Sequence, residues 1–327
     1  MKVVILGSGS FAGQTIFSKF LERGYKVIGI NRSSPKDIHF WPWVKNFIRK
    51  ENWFEYNLLD DSDKIINVIK KFKPEVIIDL MGQGMVAPSW KDPELWYQTN
   101  ISSKSKIIQS FLNLDSLSKY IRASTPEVYG SSASLIKESS FFNPSTPYAV
   151  SHSAIDMHLR CLGKQYQFPY LIGRFANFYG QGQQLYRVIP KLFLSCLTKK
   201  NFTLDGGGKS TRYFIHSNDI LSAFDKLIDS EYVCSEFNFS GNEEVSISEL
   251  VDMICKITNT NRDQFVHDGP ERPGKDAHYR LDCSKSLKLL KWRPEISLIK
   301  GLNDEKEWVE KNINELSQHS WNYKHSR

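Results

Sequence analysis

This sequence lacks the usual covalent and metal frameworks. Its 327 residues hold only five cysteines, Cys161, Cys196, Cys234, Cys255 and Cys283, scattered and odd in number. That pattern excludes a disulfide scaffold and offers no metal-ligand spacing, so reduced thiols and no metal are expected. No apolar run approaches the roughly 20 residues that a bilayer crossing requires, so no membrane partner is expected. Met1-Lys2 passes straight into a strand, without the plan of a secretory leader, which makes the cytoplasm the expected compartment. The formal charge is +7, yet no block of Lys and Arg is interleaved with aromatics, so nucleic acid is not expected either. Anionic small-molecule ligands account for the surplus charge, as does a plainly solvated surface. Repeats and low-complexity linkers are missing as well. With 40% hydrophobic and 24% charged residues, the chain has the composition of an ordinary globular protein, long enough for one large or two ordinary domains.

What is present begins at the amino terminus. Lys2 to Leu6 is a short apolar run of strand type, followed by Gly7-Ser8-Gly9-Ser10-Phe11-Ala12-Gly13 and then by helical spacing through Phe17, Phe20 and Leu21. A strand, a tight glycine turn and a helix start make a dinucleotide-binding unit, because glycines let the backbone approach a pyrophosphate and the helix end offers N–H groups to it. Gly7, Gly9, Ser10, Phe11, Ala12 and Gly13 are the candidates; a purely structural glycine turn is the alternative. The second strand, Lys26 to Ile30, ends in Asn31-Arg32-Ser33-Ser34, where NAD-specific proteins place a carboxylate on the adenosine ribose. None is present there. Asn31 does not repel a 2′-phosphate, and Arg32 with Ser33 can bind one, so NADP is the expected cofactor and NAD the alternative.

Trp53 to Tyr56 reads as a strand, Ser62 to Phe72 as a helix broken by Pro74, and Glu75 to Leu80 as a buried parallel strand of continuous apolar character. Lys119 to Ala123 and Pro169 to Arg174 add further strands. These strands predict an α/β fold, a Rossmann-type doubly wound parallel sheet followed by a smaller mixed carboxyl-terminal domain. Ser124, Thr125, Pro126 and Glu127 then fall at the carboxyl end of a strand, where open α/β sheets place ligands. Tyr148 and His152, four apart near the start of a helix, share one face of it. A hydroxyl, a carboxylate, a phenol and an imidazole are thus expected to converge on one small molecule.

Ser124-Thr125-Pro126-Glu127-Val128-Tyr129-Gly130, together with Tyr148-Ala149-Val150-Ser151-His152, resembles the extended short-chain dehydrogenase/reductase family. Within it the chain is most similar to the nucleotide-sugar 4,6-dehydratases acting on dTDP-glucose or GDP-mannose, over nearly its whole length. The resemblance implies catalytic roles for Thr125, Glu127, Tyr148 and His152. It also shows two departures: Pro126 stands where the dTDP-glucose enzymes carry an acid, and His152 where the family carries a lysine. It implies that Asn57 and Leu58 contact adenine, and that Leu80, Met81 and Gly82 lie along the cofactor, which Tyr148 and His152 also touch. Gln83, Asn177, Arg187, Arg212 and Arg272 would bind the substrate, the last two its pyrophosphate, and Asn100 would be structural or relay a proton.

The implied domains are 1–180 for the cofactor, joined by segments near 213–242, and 181–327 for the substrate, mainly 181–212 and 243–315. The implied assembly is a homodimer and the implied partner a nucleotide-diphosphate sugar. Two other readings stand beside the dehydratase: a 4-epimerase or other oxidoreductase of the same fold, which has no need of a carboxylate at Glu127, and a catalytically silent NADP-binding sensor or scaffold. Residues 205–212 read as a polar hairpin, 319–327 as a loose tail, and the aromatic stretch 39–45 finds no mechanism.

Overall fold

The computed structural model describes residues 1–35, 37–40, 51–132, 134–139, 141–270 and 280–323. The chain opens with β1 (Lys2–Leu6), α1 (Phe11–Glu22), β2 (Lys26–Asn31), β3 (Trp53–Glu55), α2 (Ser62–Phe72) and β4 (Val76–Asp79). Short α3 (Val86–Ser89) and α4 (Pro93–Tyr97), a π-helical turn (Gln98–Ser103) and α5 (Lys104–Gln109) lead to β5 (Lys119–Ser124). A 3-10 turn (Pro126–Tyr129), β6 (Leu135–Ile136), the long α6 (Pro147–Tyr166) and β7 (Tyr170–Phe175) follow. Next come β8 (Asn177–Tyr179), α7 (Val188–Thr198), β9 (Phe202–Asp205), β10 (Thr211–His216), α8 (Ser217–Asp229) and β11 (Ser235–Phe239). The remainder is β12 (Glu244–Ser246), α9 (Ile247–Thr258), β13 (Val266–Gly269), β14 (Arg280–Leu281), α10 (Ser284–Leu290), α11 (Leu298–Lys311) and α12 (Ile313–Leu316).

Seven strands form one parallel sheet in the order β11-β7-β5-β4-β1-β2-β3. The chain builds outward from β1 through β2 to β3, then restarts on the other side of β1 with β4. The carboxyl ends of β1 and β4 therefore flank the point where strand order reverses, the place where such sheets hold ligands. Burial on both faces explains the continuous apolar runs. Val3 and Ile5 pack into the core that includes α1, α8 and α11, while Val4 and Leu6 pack into the one that includes α2, α5 and α6.

Two expectations are corrected. Residues 205–212 are not a hairpin: β9 pairs with β13, whereas β10 pairs with β12 and β8. The cause is a run of left-handed glycines, Gly206, Gly207 and Gly208 (φ 60, 62 and 66°), which turns the chain from one sheet to the other instead of folding it back. The tail is also held as far as Tyr323. The His319 ring lies 5.1 Å from that of Phe40, Lys200 sits over Trp321, and Tyr323 meets Tyr186 edge to face at 5.1 Å. Residues 41–45 of the aromatic stretch and 324–327 of the tail lie outside the described residues.

Candidate active site

The turn after β1 fits a dinucleotide because its residues leave no room for side chains. Gly7 has φ +83°, and a Cβ on it would lie 2.8 Å from the Leu80 carbonyl carbon; a Cβ on Gly13 would lie 2.2 Å from Gly7 O. Ser10 caps α1, its Oγ accepting from Gly13 N at 3.1 Å, so Phe11 and Ala12 form the first turn of that helix. A cradle of this kind, at the amino terminus of a three-turn helix, suits a pyrophosphate. At the end of β2, Asn31 Nδ2 donates to Ser33 O and Ser33 Oγ at 3.2 and 3.0 Å, and Arg32 is exposed. Ser34 donates to Glu55 on the neighbouring β3 at 2.7 Å, a carboxylate that the sequence reading did not connect with this loop.

Asn57 accepts from Leu59 N through Oδ1 at 3.0 Å, while the Leu58 side chain is buried in the core with Ile65. The Asn57 backbone is engaged as well, its N–H donating to Asp61 Oδ2 at 2.9 Å and its carbonyl accepting from Asp61 N at 2.7 Å. Beyond β4, Leu80 N donates to Leu6 O at 2.9 Å and Met81 O accepts from Lys104 Nζ. Asn100 holds the next turn: its Oδ1 accepts from Gln83 N at 2.7 Å, and its Nδ2 donates to Gln83 O and Ser151 Oγ, both at 3.0 Å. It thereby ties Gly82 and buried Gln83 to α6, a structural role.

The chemistry-bearing residues meet where β5 and α6 end and begin. Thr146 caps α6, accepting from Ala149 N at 3.1 Å with Pro147 in the first turn, which sets Tyr148 at the helix start and His152 one turn on. The two rings lie 4.5 Å apart. Thr125 caps the 3-10 turn, its Oγ1 accepting from Glu127 N at 3.3 Å. The Thr125 side chain also lies close enough to the Tyr148 phenol to act on its ionisation.

Burial pushes the Tyr148 phenol well above its ordinary value, and the Glu127 carboxylate pushes the same way. The Thr125 side chain and the charges of Arg187 and Arg122 pull it down. Tyr148 and His152 are thus in contact, Thr125 and Glu127 sit together on the turn after β5, and Glu127 and Arg187 act on the Tyr148 phenol through their charges. Asn177 opens β8 opposite Phe214, and Arg212 lies on β10 opposite Val245 with Nη1 donating to Thr211 O at 2.7 Å. Both belong to the three-stranded sheet and not to the elements carrying Tyr148. Arg272 lies outside the described residues.

A buried ion chain beneath these groups was missed. Asp79 pairs with Lys104 at 2.7 Å and with Arg122 at 3.4 Å, and accepts from Tyr120 Oη at 2.7 Å. Asp156 pairs with Arg122 at 3.0 Å and with Arg174 at 2.8 Å; Arg174 continues to Glu236 at 2.7 Å, which Arg160 also binds. Arg122 Nη2 reaches His152 Nδ1 at 3.0 Å. A guanidinium has only donors, so Nδ1 is the acceptor and the imidazole proton sits on Nε2. Burial, with the charges of Arg122 and Lys104, holds His152 well below its ordinary pKa. The one signal available in the sequence was charge inside apolar runs: Asp79 closes the Glu75–Leu80 run, and Arg122 interrupts Lys119–Ala123.

Comparison with known proteins agrees with this geometry. The family model for GDP-mannose 4,6 dehydratase matches residues 4–304. A dTDP-glucose 4,6-dehydratase of Haemophilus influenzae is 28% identical over 276 residues, covering 78% of this chain and 82% of that protein. The dTDP-D-glucose 4,6-dehydratase of Homo sapiens is 25% identical over 332 residues, covering 98% of this chain and 91% of that one. Among solved structures, a Streptomyces venezuelae dTDP-glucose 4,6-dehydratase with NAD bound superposes with a TM-score of 0.86 at 22% identity, covering 96% of this chain and 98% of that chain. A Thermotoga maritima UDP-glucose 4-epimerase with UDP-glucose gives the same TM-score, 0.86, at 24% identity, covering 96% and 100%. The two structural likenesses establish the shared fold. Among the described residues no helix is long and apolar enough to cross a membrane. From the family match over residues 4–304, the chain belongs to the GDP-mannose 4,6 dehydratase family, within the extended short-chain dehydrogenases/reductases.

Proposed function

We propose that the chain removes water across C5 and C6 of a nucleotide-diphosphate hexose to give the 4-keto-6-deoxy sugar, with Tyr148 and Glu127 as its working groups. It is an NAD(P)-dependent nucleotide-sugar 4,6-dehydratase. The C5 hydrogen is not acidic until C4 has become a ketone. When bound along β1 and β4, the nicotinamide dinucleotide supplies the acceptor for the C4 hydride and its return to C6. Tyr148 takes the C4 hydroxyl proton, and the nearby Thr125 side chain, which draws the phenol's pKa down, favours the phenolate that does so. Glu127 takes the C5 proton. With Pro126 beside it in place of an acid, Glu127 also returns that proton to the C6 hydroxyl as it leaves as water; C5 then takes a proton from solvent as hydride reaches C6, and Tyr148 gives up to solvent the one it took from C4. His152 offers Nε2–H to the nicotinamide ribose. Arg187, Arg212, Asn177 and Gln83 bind the nucleotide sugar, and Arg272, outside the described residues, is kept as a further partner for its pyrophosphate.

We assign NADP over NAD on the absence of a carboxylate at 31–34 and the presence of Arg32, with Glu55 as the opposing charge nearest that loop. Residues 1–180 with 213–242 would be the cofactor half, and 181–212 with 243–315 the substrate half. A homodimer in the cytoplasm completes the reading. Its support is the apolar pair Val150 and Met157, 38% and 54% exposed and seven apart on one face of α6.

The observation that carries the dehydratase reading is the Glu127 carboxylate, near enough to act on Tyr148, since an epimerase needs no carboxylate there. The experiment is incubation of the purified protein, with NAD or NADP, with dTDP-, GDP- and UDP-hexoses, and mass spectrometry for the loss of one water. Turnover that inverts C4 without loss of water favours the epimerase. Cofactor binding without turnover of any hexose favours the silent protein.

A further inference from the structure

His152 cannot be understood without the residue behind it. Arg122 is 1% exposed and spends its guanidinium on three partners: Asp156 through Nε at 3.0 Å, Asp79 through Nη1 at 3.4 Å, and His152 Nδ1 through Nη2 at 3.0 Å. Neither carboxylate depends on Arg122 alone, because Asp79 keeps Lys104 at 2.7 Å and Asp156 keeps Arg174 at 2.8 Å. In the buried chain the cations Lys104, Arg122, Arg160 and Arg174 outnumber the carboxylates Asp79, Asp156 and Glu236. Arg122 is the member of this chain that reaches His152, whose ring lies against Tyr148.

We propose that Arg122 is a positioning residue for the reaction at Tyr148: it fixes His152 as a neutral Nε2–H donor and supplies, from behind the imidazole, the permanent positive charge that favours the Tyr148 phenolate. The proposal rests on the reading of Tyr148 as the base of C4 oxidation. The charged and titratable groups acting on His152 are Arg122 on β5 and Lys104 on α5, with the Tyr148 ring against it; those acting on Tyr148 are Glu127, Arg187 and Arg122. Burial brings Lys104 down to about 8, so in mildly alkaline solution Arg122 is the cation that stays. A second consequence is steric and electrostatic. Any cation placed at position 152 sits against a guanidinium that cannot deprotonate, so His152 and Arg122 form one unit that cannot be exchanged singly.

The test uses the full chain saturated with NAD or NADP. In the parent protein the His152 ring nitrogens, followed by 15N NMR, keep the neutral Nε2–H signature from about pH 5.5 to 9, a window set around the ordinary imidazole value near 6.5. In Arg122→Gln, which leaves each carboxylate a cation, His152 takes up its proton at a higher pH than in the parent protein, while burial still holds it below its ordinary value. C4 oxidation in single turnover, read as reduced nicotinamide absorbance, falls about tenfold at pH 7.5 for each unit by which the tyrosine is raised, and recovers at higher pH. His152→Lys alone weakens cofactor binding and oxidation, and the double variant Arg122→Gln/His152→Lys restores them.

A His152 titration that does not move in Arg122→Gln, together with an unmoved pH profile, overturns the proposal. Should Arg122→Gln fail to fold, His152→Lys decides it: full activity beside an intact Arg122 overturns it and a loss supports it. If no nucleotide sugar is dehydrated by the parent protein, the dehydratase reading fails, while the NMR titration and cofactor affinities still decide the Arg122–His152 pair.

Discussion

Glu305 offers the sharpest quantitative test of the fold. It lies on α11, which packs on α7, α9 and β10, and its side chain is fully buried with neither carboxyl oxygen hydrogen-bonded. Burial alone pushes its carboxyl up from 4.5 to about 8. Between those values the folded chain holds a proton that the unfolded chain has released. The contribution is therefore fully present below the unfolded pKa and is lost as pH rises through the folded one. At about 1.4 kcal/mol per unit, roughly 3 kcal/mol of stability disappears between pH 5 and pH 8 through this residue, a large share of the ~5–15 kcal/mol typical of a domain.

Glu305→Gln keeps the shape and removes the titration. Urea unfolding followed by circular dichroism, repeated across that range, should show the variant gaining on the parent protein by about 3 kcal/mol from pH 5 to pH 8. The pH-dependent part of the difference is the quantity to read, since a buried amide carries its own unpaired polar atoms at every pH. A difference that stays flat with pH refutes the argument, because it would mean that Glu305 is ionised inside the fold.

Glu127→Gln should bind nucleotide sugar and cofactor normally and lose water roughly 10²–10⁴-fold more slowly, the range for a positioned acid or base; rapid quench with mass spectrometry checks this, and unchanged turnover removes Glu127 from the mechanism. Arg32→Ala should weaken NADP by about ten- to a hundredfold, as expected for charged hydrogen bonds to a phosphate, and leave NAD unaffected. Isothermal titration with both cofactors decides, and equal affinities before and after the change refute the NADP assignment. Met157→Asp should convert a dimer into a monomer in analytical ultracentrifugation without altering the circular dichroism spectrum; a parent protein that sediments as a monomer ends the dimer reading.

The parts of the fold legible in the sequence were those written in short-range pattern. Lys2–Leu6, Glu75–Leu80 and Lys119–Ala123 announce themselves because strands buried on both faces are apolar throughout, and the structure has β1, β4 and β5 there. The Gly7–Gly13 turn was legible because the tight approach of Gly7 to Leu80 tolerates no Cβ. Tyr148 and His152 were legible as a pair because helix geometry fixes what lies four residues on, and Thr146 with Pro147 fixes where the helix starts. The Gly206–Gly208 turn was misread because glycine permits both a hairpin and its opposite, and only the pairing of β9 with β13 and of β10 with β8 and β12 decides between them.

The ion chain was hidden for a different reason. Its members come from β4, α5, β5, α6, β7 and β11, so no local spacing relates them, and each taken singly looks like an isolated polar residue. His152 shows what this costs a motif-based reading. Seen as one position, it is a lysine site that has lost its charge. Seen with Arg122, thirty residues earlier and 3.0 Å away, the charge has moved one residue deeper into the core, where no change of pH removes it, and the imidazole has become the hydrogen-bonding tip of an arginine. A cation placed at position 152 would then repel the one already there, so the route back to lysine begins at Arg122.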